Sequence, residues 1–178
     1  METSFHKVLL RHSMKKLFTI ISLILSFQAL SCEVPPREQH VNALELIERT
    51  QRIALAIVTS ASADKNRYGV SYGFEKIRAI KGEVSSSFTI EGYLLYEGGM
   101  RTFDNHFDEV FWSSSWGREF NDTACEIHPA FSVGSTYLVF LDMPFHSKSF
   151  EQIIRTHGDS QTKDKWLQYV EQQVSLNE

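Results

Sequence analysis

Apolar and polar positions follow several distinct patterns along this chain. An uncharged apolar run, Leu17 to Phe27, comes first, directly after Lys15 and Lys16. Val34-Pro35-Pro36 then begins extended, because a residue before proline is pushed out of the helical region. Over Glu38–Arg52, Val41, Leu44 and Ile47 recur at helical spacing with Glu48 beside them, which predicts a helix. The pattern then changes. Ile53 to Thr59 (IALAIVT) has strand length and is rich in β-branched residues, and the polar Ser60–Arg67 reads as a turn. Val70–Ile80 alternates as a long strand, with Tyr72, Phe74, Ile77 and Ile80 as core contacts. Lys81-Gly82 turns the chain into a short strand at Phe88-Thr89-Ile90, continued by Tyr93–Tyr96, and Gly98-Gly99 breaks it. Thr136–Leu141 is the clearest strand. Thr162–Val174 closes the pattern as an amphipathic helix, with Trp166, Val170 and Val174 on one face and Lys163, Lys165 and Glu171 on the other. That helix is not strongly basic, so docking against the strands is favoured over membrane attachment. The prediction is a mainly β chain with flanking α-helices, its short strands forming a small closed barrel.

The first apolar run is a targeting signal rather than part of the fold. Met14 opens it, Lys15 and Lys16 give it a positive start, and 11 uncharged residues follow. Gln28-Ala29-Leu30-Ser31 then places small residues at −3 and −1 relative to Cys32. This is the three-part pattern of a secretory signal peptide, and the run is shorter than the roughly 20 apolar residues of a spanning helix. Residues 1–31 are therefore read as a signal peptide cleaved after Ser31, with 1–13 an upstream extension or long n-region. An uncleaved anchor is the alternative. Residues 32–178 form one domain.

Charge narrows the partners. The chain holds 18 Lys+Arg and 22 Asp+Glu; residues 1–31 take four of the bases and one acid, leaving the 147-residue mature chain at −7. Such a surface repels phosphate backbones, which argues against nucleic acid. Both cysteines, Cys32 and Cys125, remain after export into an oxidising compartment, periplasmic or extracellular, where thiols tend to pair. A bridge between them closes a loop of about 94 residues, worth about 4–5 kcal/mol in the chain-entropy picture. Lipidation is the competing fate of a cysteine that follows a signal peptide. It would consume the Cys32 sulfur and make the protein an outer-membrane lipoprotein, although Ala29 and Leu30 depart from the usual lipobox.

The leading Cys32-Glu33-Val34-Pro35, a helix, Ile53–Val58, Phe74–Gly82, Thr123-Ala124-Cys125 and Phe131–Phe140 follow one another in an order that carries a resemblance. Over Cys32 to about Leu141 the chain resembles the netrin-like (tissue inhibitor of metalloproteinases-like) domain, including its bacterial secreted members. The resemblance implies a five-stranded OB-type closed barrel and a Cys32–Cys125 disulfide. It also implies that cleavage exposes the Cys32 α-amine, which with the Cys32 carbonyl chelates the zinc of a metalloprotease while Glu33, Val34 and Pro35 contact its cleft. An α-amine of pKa near 8 loses its proton readily on metal binding. Val34 stands where the inhibitors carry a second cysteine, and Glu33 where a small hydroxylated residue is usual.

Other constellations carry less chemistry. Phe103–Phe120 holds six aromatic residues among 18, inside an insertion over about 97–122. Phe107, Phe111, Trp112 and Trp116 are candidates for a partner surface, with packing onto the barrel as the alternative. The five histidines of the mature chain, His40, His106, His128, His146 and His157, show no H-x-x-x-H or H-E-x-x-H spacing, so no metal site of its own is expected. Asp104, Asp108 and Glu109 read as solvated acids. No nucleophile elbow and no phosphate-cradling glycine loop is present. The expectation is an exported binding protein that is not an enzyme, needs no cofactor and takes a protein partner, a zinc metalloprotease on the inhibitor reading. A non-inhibitory protein-interaction module, or a lipid-anchored envelope module, is the alternative.

Overall fold

The computed structural model describes residues 36–63, 69–94, 106, 110, 114, 117, 119, 122, 124–153 and 164–177. The signal segment, Cys32 to Pro35, and Phe107, Phe111, Trp112 and Trp116 lie outside the described residues.

The expected helix over Glu38–Arg52 is shorter than its pattern suggested. A 3₁₀ turn spans Arg37–Gln39, and helix α1 begins only at Ala43 and ends at Arg49 (Ala43–Arg49). Asn42 decides the start, because its side chain accepts the Glu45 N–H at 2.9 Å and so caps the first turn. Thr50 ends it in extended backbone, with its hydroxyl on the Leu46 carbonyl. The buried positions are Ala43, Leu46 and Ile47, while Leu44 faces solvent.

Five strands follow: β1 (Ile53–Ala63), β2 (Gly69–Lys81), β3 (Ser87–Tyr93), β4 (Thr136–Phe140) and β5 (Phe150–Gln152), and then helix α2 (Lys165–Asn177). They form one antiparallel sheet in the order β3-β2-β1-β4-β5. The sheet is open: β3 and β5 are its edges, where the expected closed barrel would have joined them. Strand β5 was not anticipated, since three residues are too few to show a period.

Strand β2 explains why one predicted core residue, Ile77, faces outward and another, Ile80, is only partly buried against the core. Leu55 pairs with Arg78 and Ala56 with Lys76, so Ile77 is the extra residue of a bulge; Ile80 is skipped in the same way between Lys81 and Ala79. Ile77 is accordingly 46% exposed, and Ile80 only borders the core, whereas Val70, Tyr72 and Phe74 are buried.

Both faces of the sheet are covered, as β4 makes plain. Leu138 and Phe140 point to one side, where Ile53 meets Leu46 and Ile47 of α1 and Trp166, Val170 and Val174 of α2. Tyr137 and Val139 point to the other, into a cluster of Ala56, Val58, Tyr72, Phe74, Ile90, Phe131 and Phe150. Phe131 is the hub of that second cluster, lying edge-on to Tyr72, Phe74, Tyr137 and Phe150 at centroid distances of 4.9–5.4 Å. It belongs to a segment that runs along the β3 edge, where the Tyr93 N–H donates to the Pro129 carbonyl at 3.1 Å. A side chain at Gly92 would overlap that same carbonyl, so glycine is what lets the two backbones meet. Among the described residues no helix is long and apolar enough to cross a membrane.

Candidate functional site

Two polar assemblies stand out on this frame. The first surrounds Cys125. Asp122 builds the turn: its Oδ1 accepts the N–H groups of Ala124 and Glu126 at 2.8 and 3.0 Å, and its backbone carbonyl accepts the Cys125 N–H at 3.1 Å. This holds Cys125 at φ 64°, a conformation few residues other than glycine adopt. The Glu126 N–H, helped by Ala124 and His128, holds the Asp122 carboxyl below its ordinary range. His128 Nε2 lies 3.0 Å from Asp122 Oδ2, and its ring stacks on Tyr93 at 4.3 Å.

Gln39 connects this loop to the start of the domain. Its buried side chain donates to the Cys125 carbonyl at 2.7 Å, so the Arg37–Gln39 turn is fastened beside Cys125. Among the described residues there is no free cysteine.

The second assembly is interior. His106 is fully buried between two carboxyl groups, with Nδ1 2.7 Å from Asp164 Oδ2 and Nε2 3.2 Å from Glu151 Oε2. Asp164 caps α2, its Oδ1 accepting the Leu167 N–H at 3.1 Å, and Glu151 is the middle residue of β5. Lys148, also buried, donates to the Ser114 carbonyl and sits over the Trp166 ring at 5.9 Å. Burial alone would lower the His106 pKa, but the hydrogen bonds to Asp164 and Glu151, with their charges, raise it overall. Burial, reinforced by the Glu151 charge, pushes Glu119 up to about 7. Burial pulls Lys148 down to about 8 against the opposing pull of Glu151.

Comparison with models of known protein families finds no match, and neither does comparison with curated proteins.

Among the candidates read from the sequence, Cys125 is therefore the one the described residues place, on an ordered turn tied to Gln39. Cys32, Glu33, Val34 and Pro35, together with Phe107, Phe111, Trp112 and Trp116, lie outside them. Among the described residues no group of three His, Cys, Asp or Glu side chains is disposed to hold a metal ion. A shallow depression of about 290 Å³ at Thr59, Gly73, Phe74 and Ser87 lies apart from both assemblies. Sequence reasoning missed the His106 assembly. One of its members did carry a signal, because Asp164 stands just before the apolar Trp166-Leu167 pair, where a helix cap belongs.

Proposed function

We propose that the mature chain is an exported, non-catalytic binding protein of netrin-like, OB-type architecture, and that it meets its partner through the segment beginning at Cys32. The observation that supports this reading is the Gln39–Cys125 hydrogen bond, which ties the first described turn of the domain, a few residues after Cys32 in sequence, to the Cys125 turn. The lack of a free thiol at Cys125 supports a Cys32–Cys125 bridge. The strand order β3-β2-β1-β4-β5 supports the reading, because joining β3 to β5 would give a five-stranded barrel, and partly open barrels of this type are common binding scaffolds. A bridge at Cys32 would pre-order the exposed α-amine and carbonyl, and pre-ordering reduces the entropy lost on binding a protease zinc.

Mass spectrometry of the processed protein tests this directly. The reading predicts an unmodified Cys32 at the N-terminus, with both sulfurs oxidised, and loss of inhibition of a zinc metalloprotease when one alanine is added before Cys32. A diacylglyceryl group on Cys32 would overturn it in favour of an anchored envelope module.

A second reading uses the aromatic stretch. Val110 is 67% exposed although His106, on the same stretch, is fully buried, so an anchored segment displays an apolar side chain outward. If this stretch is the contact, extending the N-terminus would leave partner binding unchanged, while replacing Val110 with aspartate would weaken it.

A further inference from the structure

Among the described residues of 106–119, His106, Ser114, Gly117 and Glu119 make polar contacts that converge on one region of the fold. His106 spans Asp164 on α2 and Glu151 on β5. The Ser114 carbonyl takes the Lys148 ammonium. The Gly117 N–H donates to Ser147 Oγ at 2.6 Å, and the Glu119 N–H to the Ser147 carbonyl at 3.2 Å. At Gly117 a Cβ would overlap the backbone of Ser147 and Lys148, so the two chains are in direct contact. His146 extends the same network on its far side, with Nδ1 accepting the Lys148 N–H at 3.0 Å and Nε2 facing the Val41 carbonyl at 2.9 Å.

The hydrogen bonds of His106 require a definite number of protons. Two contacts to carboxyl groups need two protons, and while Asp164 and Glu151 are ionised the imidazole must supply both. With His106 and Lys148 charged, the two positive groups balance Asp164 and Glu151, and Glu119 adds nothing while it holds its proton. Taking the proton from His106 leaves one of its contacts without a hydrogen and the buried cluster with excess negative charge, which a low-dielectric interior tolerates poorly.

We propose that the His106 cluster is a proton-dependent fastening between the 106–119 stretch and the layer formed by β5 and α2, tight in mild acid and weakened above neutrality. The groups that set its response are Asp164 from α2, Glu151 from β5, Lys148 and His146 from the β4–β5 connection, and Glu119 from the stretch itself. The sign follows from the His106 and Glu119 pKa values being raised: the folded state holds these protons more tightly than the unfolded one, so protonation favours the fastened form. The proposal is independent of what the N-terminal segment binds.

Nitrogen NMR of the histidine rings and hydrogen exchange on the purified protein test it together. The expected result is that both His106 nitrogens carry protons at pH 6, and that deprotonation has its midpoint above the ordinary histidine value. Protection factors at the Gly117, Glu119 and Leu167 amides should fall on deprotonation by about tenfold, while the Leu138 amide keeps its protection. His106→Gln should abolish the step, and Glu119→Gln should leave the His106 part of it in place. A neutral His106 ring at pH 6, protection factors at Gly117 and Glu119 unchanged between pH 5.5 and 8.5, or a step that persists in His106→Gln would each overturn the proposal. If His106→Gln does not fold, the ring titration of the unaltered protein decides alone.

Discussion

Gln39 and Cys125 stand 86 positions apart in the chain, yet the Gln39 amide donates to the Cys125 carbonyl at 2.7 Å. This bond joins the entry of the domain to the turn that precedes β4. Gln39→Ala removes the donor and leaves a partly buried carbonyl without it. Stability should fall by about 1 kcal/mol, read as a lower urea midpoint at constant slope. If Cys125 is bridged to Cys32 as proposed, the same variant should also speed its reduction by dithiothreitol.

Gly92 and Gly69 both lie on paired strands and offer a matched comparison. A methyl at Gly92 meets the Pro129 carbonyl oxygen, while one at Gly69 has its nearest neighbour at an ordinary 3.9 Å. Gly92→Ala should cost about 1–3 kcal/mol through forced backbone displacement, whereas Gly69→Ala should be neutral or slightly stabilising. Thermal melts of the two variants measured side by side check this; equal losses would mean that β3 does not run against the Pro129 backbone.

The bulge in β2 separates two residues that look alike in the sequence. Phe74 is buried against Phe88, Phe131 and Tyr137, so Phe74→Ala should destabilise by about 3–5 kcal/mol. Ile77 is half exposed at the unpaired position, and Ile77→Ser should stay within about 0.5 kcal/mol of the parent protein. Chemical denaturation gives both numbers.

Two interior groups give opposite dependences on pH. Glu119 keeps its proton up to about pH 7 in the fold but only to its ordinary 4.5 when unfolded. The folded state therefore binds more protons across that window, and stability falls as pH rises through it. Lys148 loses its proton near pH 8 in the fold and near 10.5 when unfolded, so stability rises with pH between those values. Glu119→Gln should flatten the acidic slope and Lys148→Met the alkaline one. Unfolding free energies measured from pH 4 to 10.5 would contradict this if either slope survived its own substitution.

Much of the sheet was legible because β1, β2 and β4 carry their pattern over five or more residues and bury it. Where the reading failed, a local feature overrode the period. Asn42 caps a helix that the Val41-Leu44-Ile47 spacing would have begun earlier, and a register shift turned Ile77 outward although its residue type suits a core. The β1 strand runs on through Ser60-Ala61-Ser62-Ala63, exposed residues that read as a loop but pair with Gly73, Tyr72, Ser71 and Val70. Of the site, Cys125 was visible as one of only two cysteines. Gln39 was not, because a hydrogen bond across 86 residues leaves no local trace. The same holds for His106, Glu151 and Asp164, which only the folded chain brings together.

Strand β5 is an outer strand of three residues with a carboxylate turned inward at its centre, where Glu151 faces His106. Long, flat, apolar margins invite a strand from a neighbouring molecule to dock and propagate into fibrils. Here the margin is too brief to template such growth, and its central side chain is already engaged within its own molecule. A short outer strand with an inward carboxylate is one of the devices by which sheet margins resist such pairing.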